Sequence, residues 1–249
     1  MDAGLRTEGE LVIHPDGDVK EALRESELIW RPAFFYPREY SVDNRLLTAA
    51  LIDSYLTRGV VLQRAAVAAV DKGLVVLKTG ERIPGGVIVN AAGCWASQIQ
   101  APGVTFEVRP MKGQMVAVRA EGWTLKYVVR DEHVYIVPRN DGRIILGATM
   151  EDAGYDKTVH QTVIDRFLMA GAALVPKLKN APIVEAWAGL RPATPSGLPM
   201  IGETRLPGYY LAVGHLRNGI LLAPITAKLL AETIRTGKTP ELLRAFRPS

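Results

Sequence analysis

The sequence predicts a mixed α/β chain of α+β character, and three observations lead there. Short β-rich runs are set off by Asp71-Lys72-Gly73 and by ERIPGG. Three longer runs carry the 3.6-residue helical period. The strongest turn signals, Asp71-Lys72-Gly73 and Asp141-Gly142, belong to hairpins, which join antiparallel strands.

The elements follow in order. Asp16 can cap a short helix over DVKEALRESE, with Val19, Ala22 and Leu23 on one face. RPAFFYPREY is Pro-rich and aromatic and reads as loop. A second helix starts near Asp43, with Leu46, Leu47, Ala50, Leu51 and Tyr55 at helical steps and Gly59 closing it. The period then changes, and VVLQ, AAVAAV, LVVLKT and GGVIVNAAG read as strands. VIVNAAG is a continuous apolar run, as expected of a strand buried on both faces. FEVRPMKGQMVAVRA and YVVRDEHVYIVPRNDGRIILGATM add strands. HQTVIDRFLMAGAALVP is helical, APIVEAWAGLRP is a strand running into a turn, and GYYLAVGH is a further strand. NGILLAPITAKLLAETIRTGK is a helix ended by Gly237.

Bulk properties exclude several classes. With 249 residues, 48% hydrophobic and 22% charged, the chain can bury a real core as one large domain or two smaller ones. Its net charge of +4 is spread without a Lys/Arg run, which gives no support to nucleic-acid binding. The most apolar stretch, Ile220 to Ile234, carries Pro224, Lys228 and Glu232 and is too short and polar for a bilayer span. A single cysteine, Cys94, allows no intrachain disulfide, and MDAGLRTEGE is no signal or transit peptide. A reducing, cytoplasmic setting is the default. His14, His133, His160 and His215 lie far apart and no CxxC occurs, so no metal site is expected.

Three places could carry chemistry. If Asp141-Gly142 is a two-residue turn, His133 faces Met150, Tyr135 faces Ala148 and Val137 faces Leu146, all on one sheet face. That face suits a pocket or an ordinary half-buried sheet surface. In WAGLRPATPSGLPMIG, glycines and prolines stiffen the backbone around Arg191, so that a turn presents it. A guanidinium held this way suits bidentate carboxylate recognition, or is a surface arginine near a loop. In GHLRNGILLAPITAKLL a strand ends at Gly214 and a helix starts near Gly219-Ile220. Its N-terminus could stabilise an anion, or the segment is an ordinary strand–loop–helix joint.

Together, HVYIVPRNDGRIILGATMEDAGYD, WAGLRPATPSGLPMIG and GHLRNGILLAPITAKLL resemble the glycine oxidase family within the D-amino-acid oxidase and sarcosine oxidase superfamily. VIVNAAGCWAS and RPMKGQM add weaker matches, and the segments span nearly all of residues 7 to 248. The resemblance implies FAD-dependent oxidative deamination of glycine or another small amine or D-amino acid, giving an oxo acid, ammonia and peroxide, in thiazole and thiamine synthesis. It implies that Arg191 clamps the substrate carboxylate, that the Tyr135 hydroxyl helps, and that His133, Met150 and Arg217 lie beside the substrate. Val67 matches a position at the adenine end of FAD. Gly93 approaches the cofactor, and His215, Leu216, Arg217, Asn218, Gly219, Ile220 and Leu221 run along the flavin ring. It further implies the remainder of an FAD-binding doubly wound sheet over 1–100 and 187–249, and an antiparallel-sheet substrate domain over 101–186.

One departure is large. No two glycines are separated by two positions, so the family's GxGxxG turn is absent. The chain therefore reads as lacking the N-terminal dinucleotide-binding segment. FAD binding is expected to be weak or absent without it, and apolar sheet surface is expected to be exposed around VIVNAAG. An inactive remnant with a small-carboxylate pocket and a flavin-dependent dehydrogenase are the alternative readings. The expected partner is a small amino-acid substrate, with no nucleic acid and no membrane, and a homo-oligomer is compatible with the sequence.

Overall fold

The computed structural model describes residues 3–18 and 25–248; the helix expected around Val19, Ala22 and Leu23 lies outside them. The order is β1 (Glu10–Ile13), β2 (Ala33–Tyr36), α1 (Asn44–Leu56), β3 (Val67–Asp71), β4 (Leu74–Leu77), β5 (Arg82–Pro84) and β6 (Ile88–Asn90). There follow β7 (Arg109–Arg119), β8 (Val128–Arg130), β9 (Tyr135–Pro138), β10 (Arg143–Gly147) and α2 (Gln161–Leu174). The last elements are β11 (Ile183–Ala193), β12 (Met200–Glu203), β13 (Tyr209–Val213) and α3 (Gly219–Thr236). The mixed α/β class holds.

Two compact units result, one from residues 1–61, 113–150 and 157–189, the other from 62–112, 151–156 and 190–249. Residues 1–61 thus cluster with the strands of the expected substrate domain, whereas the sequence reading grouped them with 62–100.

The first unit is built on a seven-stranded sheet of order β11-β7-β10-β9-β8-β1-β2, whose β7 and β11 run on into the second unit. β1 with β2, β7 with β10, β10 with β9 and β9 with β8 pair antiparallel, and β1 pairs parallel with β8. One face carries Leu11, Val116, Val118, Val129, Ile136, Ile144 and Leu146, all in a core with Ile164, Phe167 and Leu174 of α2. The helix seats closely there, because a Cβ on Gly171 would stand 2.4 Å from Leu146 Cδ2. Alternation sends Met115, Tyr135, Val137 and Ile145 to the other face.

α1 has no fully buried residue, and Leu47, Ala50, Ile52 and Tyr55 are half-buried. Its N-terminus is tied by polar contacts. Asp43 accepts from Arg45 N and Leu46 N, and Arg143 donates to Asp43 at 2.9 Å. Arg139 donates to Val42 O at 2.8 Å, and Arg45 makes a two-pronged contact with Glu185.

Three expectations need correcting here. RPAFFYPREY is not all loop. Ala33–Tyr36 pairs antiparallel with β1 between flanking prolines, and at the end of the sheet order prolines are tolerated. VVLQ is not a strand. The third correction is the hairpin register. Tyr135 pairs with Gly147 and Val137 with Ile145, one residue off the expected pairing. Arg139 N donates to Arg143 O and Gly142 N to Arg139 O, leaving Asn140-Asp141-Gly142 as the loop, with Gly142 at φ 81. That is the turn-plus-glycine-bulge closure, which inserts one residue relative to a two-residue turn.

In the second unit β3, β4 and β5 form a meander whose first hairpin turns at Lys72-Gly73, Gly73 having φ 68. The other sheet has the order β12-β13-β6, with β13 parallel to β6 and antiparallel to β12. Side chains of β13 alternate between two cores. Tyr210 joins Ile201, Leu229, Leu230 and Leu243 on the α3 side. Tyr209, Leu211 and Val213 join Val70, Ala96, Val108 and Leu206 on the other. β6 ends this sheet, and Val87 and Val89 are 49% and 42% exposed. VIVNAAG is therefore not buried on both faces among the described residues. Apolar surface is exposed around it, as the sequence reading expected.

Candidate functional site

Parallel pairing of β6 with β13 sets their carboxyl ends side by side. Two loops leave there, Ala91–Gly93 after β6 and Gly214–Asn218 after β13. The crevice outside the carboxyl ends of parallel strands is where open α/β sheets hold ligands, because backbone N–H groups and helix N-termini collect there.

The first loop is held by Asn90, which is 5% exposed. Its Nδ2 donates to Ala96 O at 3.0 Å and to the Tyr209 hydroxyl at 2.8 Å, while its Oδ1 accepts from Ala92 N at 3.1 Å. Burial pushes the Tyr209 phenol up, against the opposing pull of the Asn90 contact. Gly93 takes φ 57 and turns the chain into Gly93–Gln98.

The second loop begins at Gly214, φ 82, where a Cβ would stand 2.3 Å from Thr194 Cγ2. Thr194 is itself fixed, donating to Leu198 O at 2.6 Å. His215 follows, its Nε2 3.0 Å from Thr226 Oγ1 on α3. Burial holds the imidazole below its usual value of 6.5. Leu216 takes a left-handed φ of 50. Asn218 then leads into α3 without a side-chain cap, so the helix's first N–H groups and its positive dipole end have no capping side chain. Ile220 and Leu221 are 50% and 77% exposed beside them.

Arg191 lies on β11, two residues before the strand ends, and is half-buried. The turn comes later, with Gly197 N donating to Thr194 O and Gly197 at φ 72. The arginine is thus strand-borne, not presented from a turn. The carbonyl of Leu190, next to it, accepts from the Cys94 thiol at 3.6 Å. Strand β11 and the Gly93 loop are therefore joined one residue away from each expected ligand contact. Val67 opens β3 in the same unit, half-buried.

In the first unit, Tyr135 lies on the sheet face away from α2, where a Cβ on Gly147 would come within 2.8 Å of both its hydroxyl and Met115 Cγ. Glycine at 147 leaves the space that the Tyr135 ring occupies. His133 is outside β9 and not opposite Met150. Its side chain is 69% exposed, with Nε2 3.4 Å from Glu132. Met150 is 48% exposed. The shared face expected for His133, Tyr135 and Met150 fails because β9 starts at Tyr135 and the register is shifted by one.

Sequence reasoning missed Asn90, Thr194, Thr226 and the segment around Tyr155. Only Asn90 left a signal, as a polar residue inside an apolar strand run; the others matter through contacts distant in sequence.

The site can take an anion or a flat group that becomes negative, set against the α3 N-terminus with apolar Ile220 and Leu221 alongside. That donor set fits the ring end of a flavin.

Comparison with known proteins identifies the family. The profile of the DAO family, described as FAD dependent oxidoreductase, matches residues 4–233. The bifunctional protein ThiO/ThiG of Trichormus variabilis is 38% identical over 233 residues, covering 87% of this chain and 34% of that protein. The glycine oxidase of Pseudomonas aeruginosa is 36% identical over 174 residues, covering 68% of this chain and 47% of that one. The matched stretch thus covers less than half the length of either relative. The crystal structure of glycine oxidase from Geobacillus kaustophilus superimposes with a TM-score of 0.89 at 28% identity, covering 100% of this chain and 76% of that one.

Proposed function

We propose, because this chain belongs to the DAO family of FAD dependent oxidoreductases, that it supplies substrate-binding residues and ring-side flavin contacts to an amine oxidase. The substrate is glycine or a similarly small amine or D-amino acid, and the product serves thiazole synthesis for thiamine. The observation that carries the reading is the junction in the second unit. There the Gly93 loop, the strand bearing Arg191 and the uncapped start of α3 belong to one packed structure.

Bound FAD would supply the two-electron oxidation of the amine to an imine, with oxygen as the final acceptor and hydrogen peroxide as its product. The remaining imine hydrolyses to an oxo acid and ammonia. Arg191 anchors the carboxylate through a planar pair of N–H donors. Its strand setting fixes the direction from which the substrate is held, and positioning of this kind supplies much of the rate. The α3 N-terminus stabilises negative charge placed against it, through N–H groups that need no reorganisation. Exposed Ile220 and Leu221 present apolar surface beside it. The resemblance also assigns Tyr135, Arg217, His133 and Met150 to the substrate's surroundings, and Val67 to the adenine end.

The test uses the FAD-loaded gene product that contains this chain, with glycine, sarcosine and D-alanine as substrates and peroxide as readout. Arg191→Leu loses a charge-assisted contact, about 2–5 kcal/mol in a desolvated site, and should raise KM at least tenfold. An unchanged KM removes Arg191 from the carboxylate. Amine-dependent reduction of a dye without peroxide would favour a dehydrogenase.

A further inference from the structure

We infer that Tyr155 is a positioning residue for Arg191, acting through Cys94; this rests on the reading of Arg191 as the carboxylate anchor. Three links make the relay. The Tyr155 hydroxyl donates to Cys94 O at 2.7 Å. The Cys94 thiol, 2% exposed, donates to Leu190 O at 3.6 Å. Leu190 precedes Arg191 on β11.

The far end of the relay is anchored on both sides of Tyr155. Lys112 and Glu151 exchange backbone hydrogen bonds at 2.8 and 2.9 Å. The Lys112 ammonium, 1% exposed, reaches Asp156 at 2.9 Å. The six residues 151–156 are thus pinned at their first and last members to the same lysine of β7. Gly154, φ 56, makes the bend that brings Tyr155 round. The Tyr155 ring also meets Trp95 at 5.9 Å between centroids.

Cys94 is well suited to the middle of this chain. It follows Gly93 directly, so its carbonyl and thiol belong to the turn that leads out of β6. A movement at Tyr155 reaches the Gly93 loop through the carbonyl and β11 through the thiol. At Lys112 the ammonium is buried while its partner Asp156 stays half-exposed, so Asp156 fixes the far end of the segment by pairing with a charge that has left water. The pair's function is to hold Tyr155, and through Tyr155 the peptide that carries Arg191.

The experiment uses the FAD-loaded gene product. Tyr155→Phe keeps the ring and removes the donor; Cys94→Ala removes the thiol and Cys94→Ser restores a donor. Tyr155→Phe and Cys94→Ala should each raise KM for the small amine about two- to tenfold, the weight of one neutral hydrogen bond. kcat should hold, because ground-state and transition-state binding are lost alike. Cys94→Ser should recover most of the loss. Two readouts do not depend on turnover. Alkylation of Cys94, read from its own peptide, should accelerate in Tyr155→Phe, and hydrogen exchange in the peptide spanning 190–193 should rise.

If Arg191→Leu raises KM while Tyr155→Phe changes neither KM nor exchange, the relay is overturned and the anchor stands. If thiol alkylation accelerates without a change in exchange or KM, the link ends at Cys94 and the relay is again overturned. If exchange and alkylation both rise but neither Tyr155→Phe nor Arg191→Leu touches KM, the relay holds mechanically and the carboxylate reading fails.

Discussion

Gly214→Ala should be the most informative single substitution in the second unit, because two separable costs meet at one atom. The first is conformational. At φ 82 an alanine sits in the left-handed region, which costs about 1–2 kcal/mol for a residue with a Cβ. The second is steric. The added Cβ would stand 2.3 Å from Thr194 Cγ2, with Pro199 Cα at 3.5 Å and Leu198 O at 3.6 Å behind it. Thr194 cannot swing aside without giving up its 2.6 Å hydrogen bond to Leu198 O, and it is 5% exposed. Overpacking of this kind costs about 1–3 kcal/mol, so the total is about 2–5 kcal/mol.

Thr194→Ser separates the two costs, since it removes Cγ2 and keeps the hydroxyl. Alone it should cost about 1 kcal/mol, roughly one methylene's worth of burial. In the double variant the steric part should vanish and the conformational part should stay. The coupling energy is then about 1–3 kcal/mol in the stabilising direction, against the few tenths expected of independent sites. Cys94 provides the assay. It is the only cysteine in the chain, it is buried in the same unit, and its labelling across a urea series reports the opening of that unit. A coupling below about 0.5 kcal/mol would refute the close packing of Gly214 on Thr194.

Other perturbations follow from the same structure. Burial depresses His215 below 6.5, so as pH falls past that value the unfolded chain takes the proton first. The stability of the second unit should be full above 6.5 and decline toward the lower folded value, and His215→Gln should flatten that slope in the same labelling assay. Lys112→Met should be close to neutral, because half-exposed Asp156 can be hydrated. Asp156→Ala strands a buried ammonium and should cost up to about 3–5 kcal/mol; equal losses in the two variants would contradict the burial of Lys112. With no two glycines two positions apart, these 249 residues alone offer no glycine-rich pyrophosphate turn. After FAD addition and desalting, their absorbance should show well under one flavin per chain, and a full complement would show that the phosphates are held by other means.

Much of the fold was legible because local periodicity and tertiary demand agreed. α2 and α3 have apolar faces at helical spacing, and Gly237 ends α3 with φ 69, as a glycine after a helix should. β2 was hidden because Pro32 and Pro37 punctuate it. Only the pairing of Ala33 and Phe35 with Ile13 and Leu11 turns those four residues into a strand. The hairpin shows a finer limit. Asp141-Gly142 serves a two-residue turn and a three-residue bulged loop equally well, and a one-residue slip exchanges the faces of every side chain. Asp141 gives the physical reason for the longer loop: its carboxylate accepts from Arg143 N at 3.1 Å and from Arg143 Nε at 2.7 Å, which fixes the exit of the turn.

The candidate site divides along the same line. Residues recognisable by type in a motif, such as Arg191 and the His215–Leu221 loop, could be named from the sequence. The residues that hold them could not, because Thr194 acts on Gly214 across 20 positions and Tyr155 on Cys94 across 61. This difference changes what Arg191 is. Taken from its glycines and prolines, it was an arginine stiffened by its own turn. In the structure the turn begins after Ala193, and the backbone around Arg191 is strand. A strand is placed by its neighbours, and here a neighbour is the Cys94 thiol on Leu190 O. Substitutions at Gly197 or Pro195 should therefore disturb Arg191 less than substitutions at Cys94 or Tyr155, although the former lie closer in sequence.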